Sequence, residues 1–124
     1  MDSEASGDVM RNFKITEFAC KCCGQTHMED SFLDKIDAAR DIAGVPFSIN
    51  SGYRCEAHNK NVGSTSGNHP AGRAADISAT DSATRMKILR GLIMAGFNRI
   101  GVHPQFIHAD NMDEIGRPKV CWFY

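Results

Sequence analysis

Arg99-Ile100-Gly101-Val102-His103-Pro104-Gln105-Phe106-Ile107-His108-Ala109 reads as two short β-rich pieces joined at Pro104, and this stretch decides the fold. His108 sits between Ile107 and Ala109, so on a strand its side chain projects opposite to its apolar neighbours. Upstream, Asp81 can cap a helix whose apolar residues Met86, Ile88, Leu89, Leu92 and Ile93 cover one broad face up to Gly96. Before it, Ala74-Ala75-Asp76-Ile77-Ser78 is a strand of small side chains, and Phe47 to Ser51 alternates apolar and polar up to Gly52. Phe32, Leu33, Ile36, Ala39 and Ile42 mark a helix from about Met28 to Ala43, with Gly44 where a C-cap belongs and Pro46 resetting the chain. Val120-Cys121-Trp122-Phe123-Tyr124 supplies a last strand. The expected fold is α+β, a small, mainly antiparallel sheet flanked by two helices. Residues 1–12, polar and without periodicity, read as a flexible arm, and 13–124 as one domain. Arg54 to Arg73 is nearly devoid of apolar residues and reads as a long loop.

The 124 residues carry 14 Lys plus Arg against 15 Asp plus Glu, a balance that argues against nucleic acid or an anionic membrane as the main partner. The apolar run Leu92 to Ala95 is too short to span a bilayer. The first residues show no positive region followed by an apolar one, so synthesis in the cytoplasm without a signal peptide is expected. Five cysteines, an odd number, exclude a fully paired disulfide framework within one chain. Cys20 with Cys23, and Cys55 with His58, share the x2 spacing of structural zinc ligands, which makes a four-ligand site one reading and small buried thiols the other.

Side chains able to hold a metal gather late, at His69, Asp76, His103, His108 and Asp110. Two imidazoles and one carboxylate leave Zn2+ an open fourth position, the mark of a catalytic rather than a structural site. His69 and Asp76 are seven apart and would face opposite ways on one straight strand, but a turn at Pro70-Ala71-Gly72 removes that objection. Read singly, His69 could cap a turn, Asp76 could pair with Arg73 or Arg54, and His108 could be a satisfied core histidine.

Ser51-Gly52-Tyr53-Arg54, then His69 to Asp76, then Phe106-Ile107-His108-Ala109-Asp110 resemble, in order and spacing, the S-G-Y-R, H-x-x-G-x-A-x-D and F-[IV]-H-x-D motifs of zinc D-alanyl-D-alanine carboxypeptidases and their endolysin relatives. These peptidoglycan peptidases share a fold with the hedgehog signalling domain. The likeness runs from about Ile15 to Asp110, and Phe18 to Cys22 and His58-Asn59 resemble the small, often phage-encoded branch.

The resemblance implies that His69, Asp76 and His108 bind one Zn2+ and that Arg54 stands beside it, where a guanidinium can hold a carboxylate or an oxyanion. Tyr53 and Ser51 are expected to support the loop. The general base departs from the family pattern, because Gln105 and Phe106 occupy the places where relatives carry an acid or a histidine, and glutamine cannot shuttle a proton. His103 and then Asp110 are the candidates for that role, Asp110 alternatively orienting His108 or anchoring Arg54. Gly67 stands where the family usually has serine, with Ser66 one position off. The function implied is a monomeric zinc peptidase that hydrolyses peptidoglycan stem peptides at a D-amino acid, of carboxypeptidase or endopeptidase type, such as a phage lysis enzyme. The alternatives are a non-catalytic zinc-binding module of the same fold and a Cys/His zinc interaction domain.

Overall fold

A computed structural model describes residues 11–64 and 67–124. Of the arm expected over residues 1–12, residues 1–10 lie outside the described residues, as does Ser66. Arg11 and Asn12 are fastened to the first helix, their backbone amides donating to the Asp37 carboxylate at 3.0 and 2.9 Å.

The described residues form three α-helices, α1 (Asp30–Ala43), α2 (Glu56–Asn61) and α3 (Ser82–Met94), and five strands. The strands are β1 (Ile49–Ser51), β2 (Ala74–Ser78), β3 (Arg99–Val102), β4 (Phe106–Asp110) and β5 (Val120–Phe123), in the spatial order β1-β2-β4-β3-β5. β3 and β4 turn back on each other at Pro104, and β4 pairs antiparallel with β2 on its other side in a register that sets Asp76 opposite His108. The remaining antiparallel pair is β1 with β2, whereas β5 runs parallel to β3.

Alternation along β2 and β4 sends Ala75, Ile77, Ile107 and Ala109 into the core beneath α1 and α3, and leaves Asp76, His108 and Asp110 on the opposite face. Phe32, Leu33, Ile36 and Ala39 of α1 are buried as the periodicity predicts, but Ile42 is 41% exposed, so the stripe ends a turn early. On α3 the buried residues are Ile88, Gly91 and Leu92, while Met86 and Ile93 face solvent. Gly91 explains the shift. A Cβ there would sit 2.4 Å from the Ala39 carbonyl oxygen, so the missing side chain lets the two helices touch along a narrower line than the apolar residues suggest. Gly44 ends α1 at φ 71°, and the Asp81 carboxylate accepts the Thr84 amide at 2.9 Å to begin α3.

The stretch from Arg54 to Arg73 holds the six-residue helix α2, where a continuous loop was expected. Its start is capped by sulfur, the Cys55 Sγ accepting the His58 amide at 3.4 Å, a partner that loop composition does not suggest.

β5 lays Trp122 across Gly101 of β3, where a Cβ would lie 2.5 Å from the indole. Glycine within a strand often marks such a close approach. Gly101→Ala is expected to destabilise the protein by about 1–3 kcal/mol through overpacking. Because Trp122 is the only tryptophan, its fluorescence emission should shift in the same variant, and an unchanged spectrum and melting temperature would refute the contact.

Candidate metal centre

His108 on β4 and Asp76 on β2 meet directly across the ladder, with Nδ1 and Oδ1 2.9 Å apart. His69 arrives from a turn rather than a strand. Gly72 at φ 72° closes that turn against the His27 backbone, its amide donating to the His69 carbonyl at 3.1 Å. This brings His69 Nε2 to 3.5 Å from Asp76 Oδ2, and the three donor atoms lie within 4.8 Å of one another.

Hydrogen bonds fix which nitrogen of each imidazole faces inward. His69 Nδ1 donates to the Gly52 carbonyl at 2.7 Å, leaving Nε2 as the atom that faces Asp76. His108 Nε2 donates to Asp110 Oδ2 at 2.7 Å, leaving Nδ1 as the inward atom. Both rings are buried, and Asp76 shows only 16% side-chain exposure. Zinc–nitrogen and zinc–oxygen bonds of about 2.0–2.2 Å place tetrahedral ligand atoms roughly 3.3 Å apart, so the observed spacings suit one Zn2+ among these three groups.

Asp110 is fully buried and all of its lone-pair directions are used. Oδ2 also accepts from Asn68 Nδ2 at 3.2 Å, and Oδ1 accepts from Arg99 Nε at 2.6 Å and from the Met112 amide at 3.1 Å. It stands behind His108, as a carboxylate orienting a metal-binding imidazole does. His103 lies elsewhere. Its ring stacks on Phe106 at 4.3 Å, Nδ1 accepts the Gln105 amide at 3.0 Å, and it lines a separate cleft with Arg85, Val102, Pro104, Phe123 and Tyr124.

Arg54 reaches the trio, with one terminal nitrogen 4.0 Å from Asp76 Oδ2, while its buried Nε has no hydrogen-bond partner among the described residues. Together with Asn68, Ser64, Trp122 and Tyr124 these groups line a pocket of about 220 Å³. Trp122 and Tyr124 escaped the sequence reading because only the parallel pairing of β5 carries them there. The signal for Trp122 was Gly101, a strand glycine facing an aromatic. Tyr53 packs edge-on against His27 at 5.1 Å and its amide bonds Phe18, in keeping with a supporting role. The four-ligand set Cys20, Cys23, Cys55 and His58 is not the group brought together. Cys22 joins the three cysteines instead, and His58 contributes only its backbone amide.

Burial works against ionisation of Asp76, yet hydrogen bonds from His108 and His69 outweigh it and hold the carboxyl far below its usual range. Burial likewise disfavours the His108 cation, but its bonds to Asp110 and Asp76 win and raise its pKa. In metal-free protein the His108 contribution to stability is therefore whole below the unfolded value of 6.5 and is lost as pH rises through the raised folded value. The melting temperature in chelator should fall as pH rises above about 6.5, and His108→Asn should abolish that part of the fall. Zinc should reverse the trend, since it competes with the inward proton. A flat chelated profile would contradict the assigned charge state.

A family model described as Peptidase M15 matches residues 11–110, a span that includes all three motifs. No curated protein matches the chain.

Proposed function

Because the chain belongs to the peptidase M15 family, whose members are zinc-dependent, we propose that it is a peptidase that hydrolyses peptidoglycan stem peptides beside a D-amino acid. The observation that carries this reading is Arg54, whose guanidinium lines the same pocket as His69, Asp76 and His108, its Nε unpaired among the described residues. A permanent cation left under-bonded next to a metal trio suits a substrate with a carboxylate or a developing oxyanion.

One zinc ion, held by His69 Nε2, the Asp76 carboxylate and His108 Nδ1, would supply Lewis acidity that polarises a peptide carbonyl and acidifies water toward ~7. Asp110 keeps His108 in the tautomer that presents Nδ1. Arg54 binds and orients the anionic end of the substrate. The Tyr124 hydroxyl, its pKa raised chiefly by burial, stays protonated at neutral pH and can donate to the same end. Trp122 walls one side of the pocket and excludes water. About 220 Å³ is below the roughly 300–1,000 Å³ of pockets that enclose whole drug-sized ligands, and it suits the end of a peptide. Removal of a terminal D-alanine is the first expectation, and cleavage of an internal L-alanyl-D-glutamate bond the second. The protein acts as a monomer, is made in the cytoplasm and meets the wall on release or export, the setting of a phage or prophage lysis enzyme.

One observation favours a second reading, a zinc-binding module without turnover. Among the described residues lining the pocket, the titratable groups beyond the trio are Arg54 and Tyr124, neither of which exchanges protons near neutrality. Incubating zinc-loaded protein with muropeptides decides between the two. Released alanine or a cut stem, seen by mass spectrometry, supports the enzyme. Binding without product, where a known amidase works, overturns it in favour of the module.

A further inference from the structure

We propose that Cys20, Cys22, Cys23 and Cys55 form a second metal site, a structural zinc centre separate from the histidine–aspartate trio. The four sulfurs lie within 4.8 Å of one another, at 3.9 Å for Cys20–Cys22, 3.7 Å for Cys20–Cys55 and 3.3 Å for Cys22–Cys55. Four thiolates at about 2.3 Å from a tetrahedral Zn2+ stand roughly 3.8 Å apart, in line with these separations. A disulfide requires about 2.05 Å, and all four thiols are free.

The backbone around the sulfurs has the form of a metal knuckle. The Cys20 amide donates to the Gln25 carbonyl at 2.8 Å, and the Gly24 amide donates back to the Cys20 carbonyl at 2.8 Å. Gly24 takes φ 75°, so the chain reverses within five residues and turns three sulfurs toward one point. The fourth comes from the head of α2. Backbone N–H groups also point at sulfur, from Cys55 to Cys20 Sγ at 3.4 Å and from His58 to Cys55 Sγ at 3.4 Å, the kind of bond that offsets charge on bound thiolates. Cys22 and Cys23 are exposed, which leaves a path for the ion to enter.

An all-thiolate, fully occupied tetrahedron has no open position, so the site is structural rather than catalytic. It ties the loop after Phe18 to the segment bearing Arg54. Along that same seam the Tyr53 amide bonds the Phe18 carbonyl at 2.9 Å, and a side chain at Gly52 would collide with Phe18. The fifth thiol, Cys121, is exposed on β5 and stands outside the cluster, which accounts for the odd cysteine number.

This inference does not depend on turnover, and its test reads metal alone. Elemental analysis of full-length protein purified with zinc should find two ions per chain, falling to one in Cys22→Ser and to one in His69→Ala. Should Cys22→Ser not fold, wild-type protein titrated with an organomercurial that blocks thiols should release one zinc equivalent into a colorimetric chelator. Cobalt replacement should add an intense sulfur-to-metal charge-transfer band that persists in His69→Ala. One zinc per chain, lost in His69→Ala with none released by the mercurial, overturns the proposal. So does iron in place of zinc.

Discussion

Arg54→Ala is expected to lower kcat/KM on a stem-peptide substrate by about a hundred- to a thousandfold while leaving zinc content unchanged, the range seen when one preorganised donor to a developing oxyanion is removed. Arg54 spends little of its bonding capacity within the protein. Among the described residues its buried Nε has no partner, and its nearest carboxylate oxygen, on Asp76, stands at 4.0 Å, too long for a hydrogen bond. A guanidinium held there only to neutralise Asp76 would be drawn closer, so most of its donor capacity remains available to a ligand. Arg54→Lys should recover part of the loss at best, because an ammonium cannot reproduce a two-point fork. Kinetics and metal analysis on the same preparations check both variants. Wild-type activity in Arg54→Ala would mean that the substrate anion is held by another group.

Asp110 is the second place where a small change should have a large effect. Asp110→Asn keeps the shape of the side chain but can turn an N–H toward His108 Nε2, undoing the tautomer that presents Nδ1 to the metal. Zinc affinity measured against a competing chelator is expected to fall about ten- to a hundredfold. Asp110→Ala should be worse for folding, since it strands the Arg99 guanidinium that now bonds Oδ1 at 2.6 Å, and loss of one partner of a buried ion pair costs about 3–5 kcal/mol. His103→Ala serves as contrast. Its ring faces the cleft beside Phe106, so hydrolysis should change only a few-fold. A collapse of activity in His103→Ala with normal zinc content would restore His103 as the proton carrier.

Local pattern carried much of this structure. The strand Ala74–Ser78 has the bounds its small alternating residues suggest, and the Asp81 cap and the Gly44 stop follow from side-chain chemistry that acts within one turn. Alternation turns His108 away from its apolar neighbours, but its grouping with Asp76 comes from the family resemblance, since a period of two does not say that β2 pairs with β4. Features set by distant segments were not legible. Val120 to Tyr124 reads as a strand, but nothing in it says that it pairs with β3 or that the pairing is parallel. The x2 spacing of Cys20 and Cys23 points past Cys22, whereas a five-residue reversal brings in the sulfur between them. For Asp110, alternation shows that it shares a face with His108; only the Arg99, Asn68 and Met112 contacts reveal that its oxygens are already occupied.

The three groups of the metal trio are unequally anchored. Asp76 and His108 belong to β2 and β4, each bonded to a strand on both sides and backed by the core, whereas His69 hangs from a turn. Backbone amides in such doubly paired strands exchange with solvent only when most of the molecule opens, while turns open far more readily. Two donors are therefore held by the sheet itself, and the third by its turn and the Gly52 carbonyl. A change in the turn from Gly67 to Gly72 is therefore expected to reach the trio through His69 alone, whereas a loosened sheet would move Asp76 and His108 together.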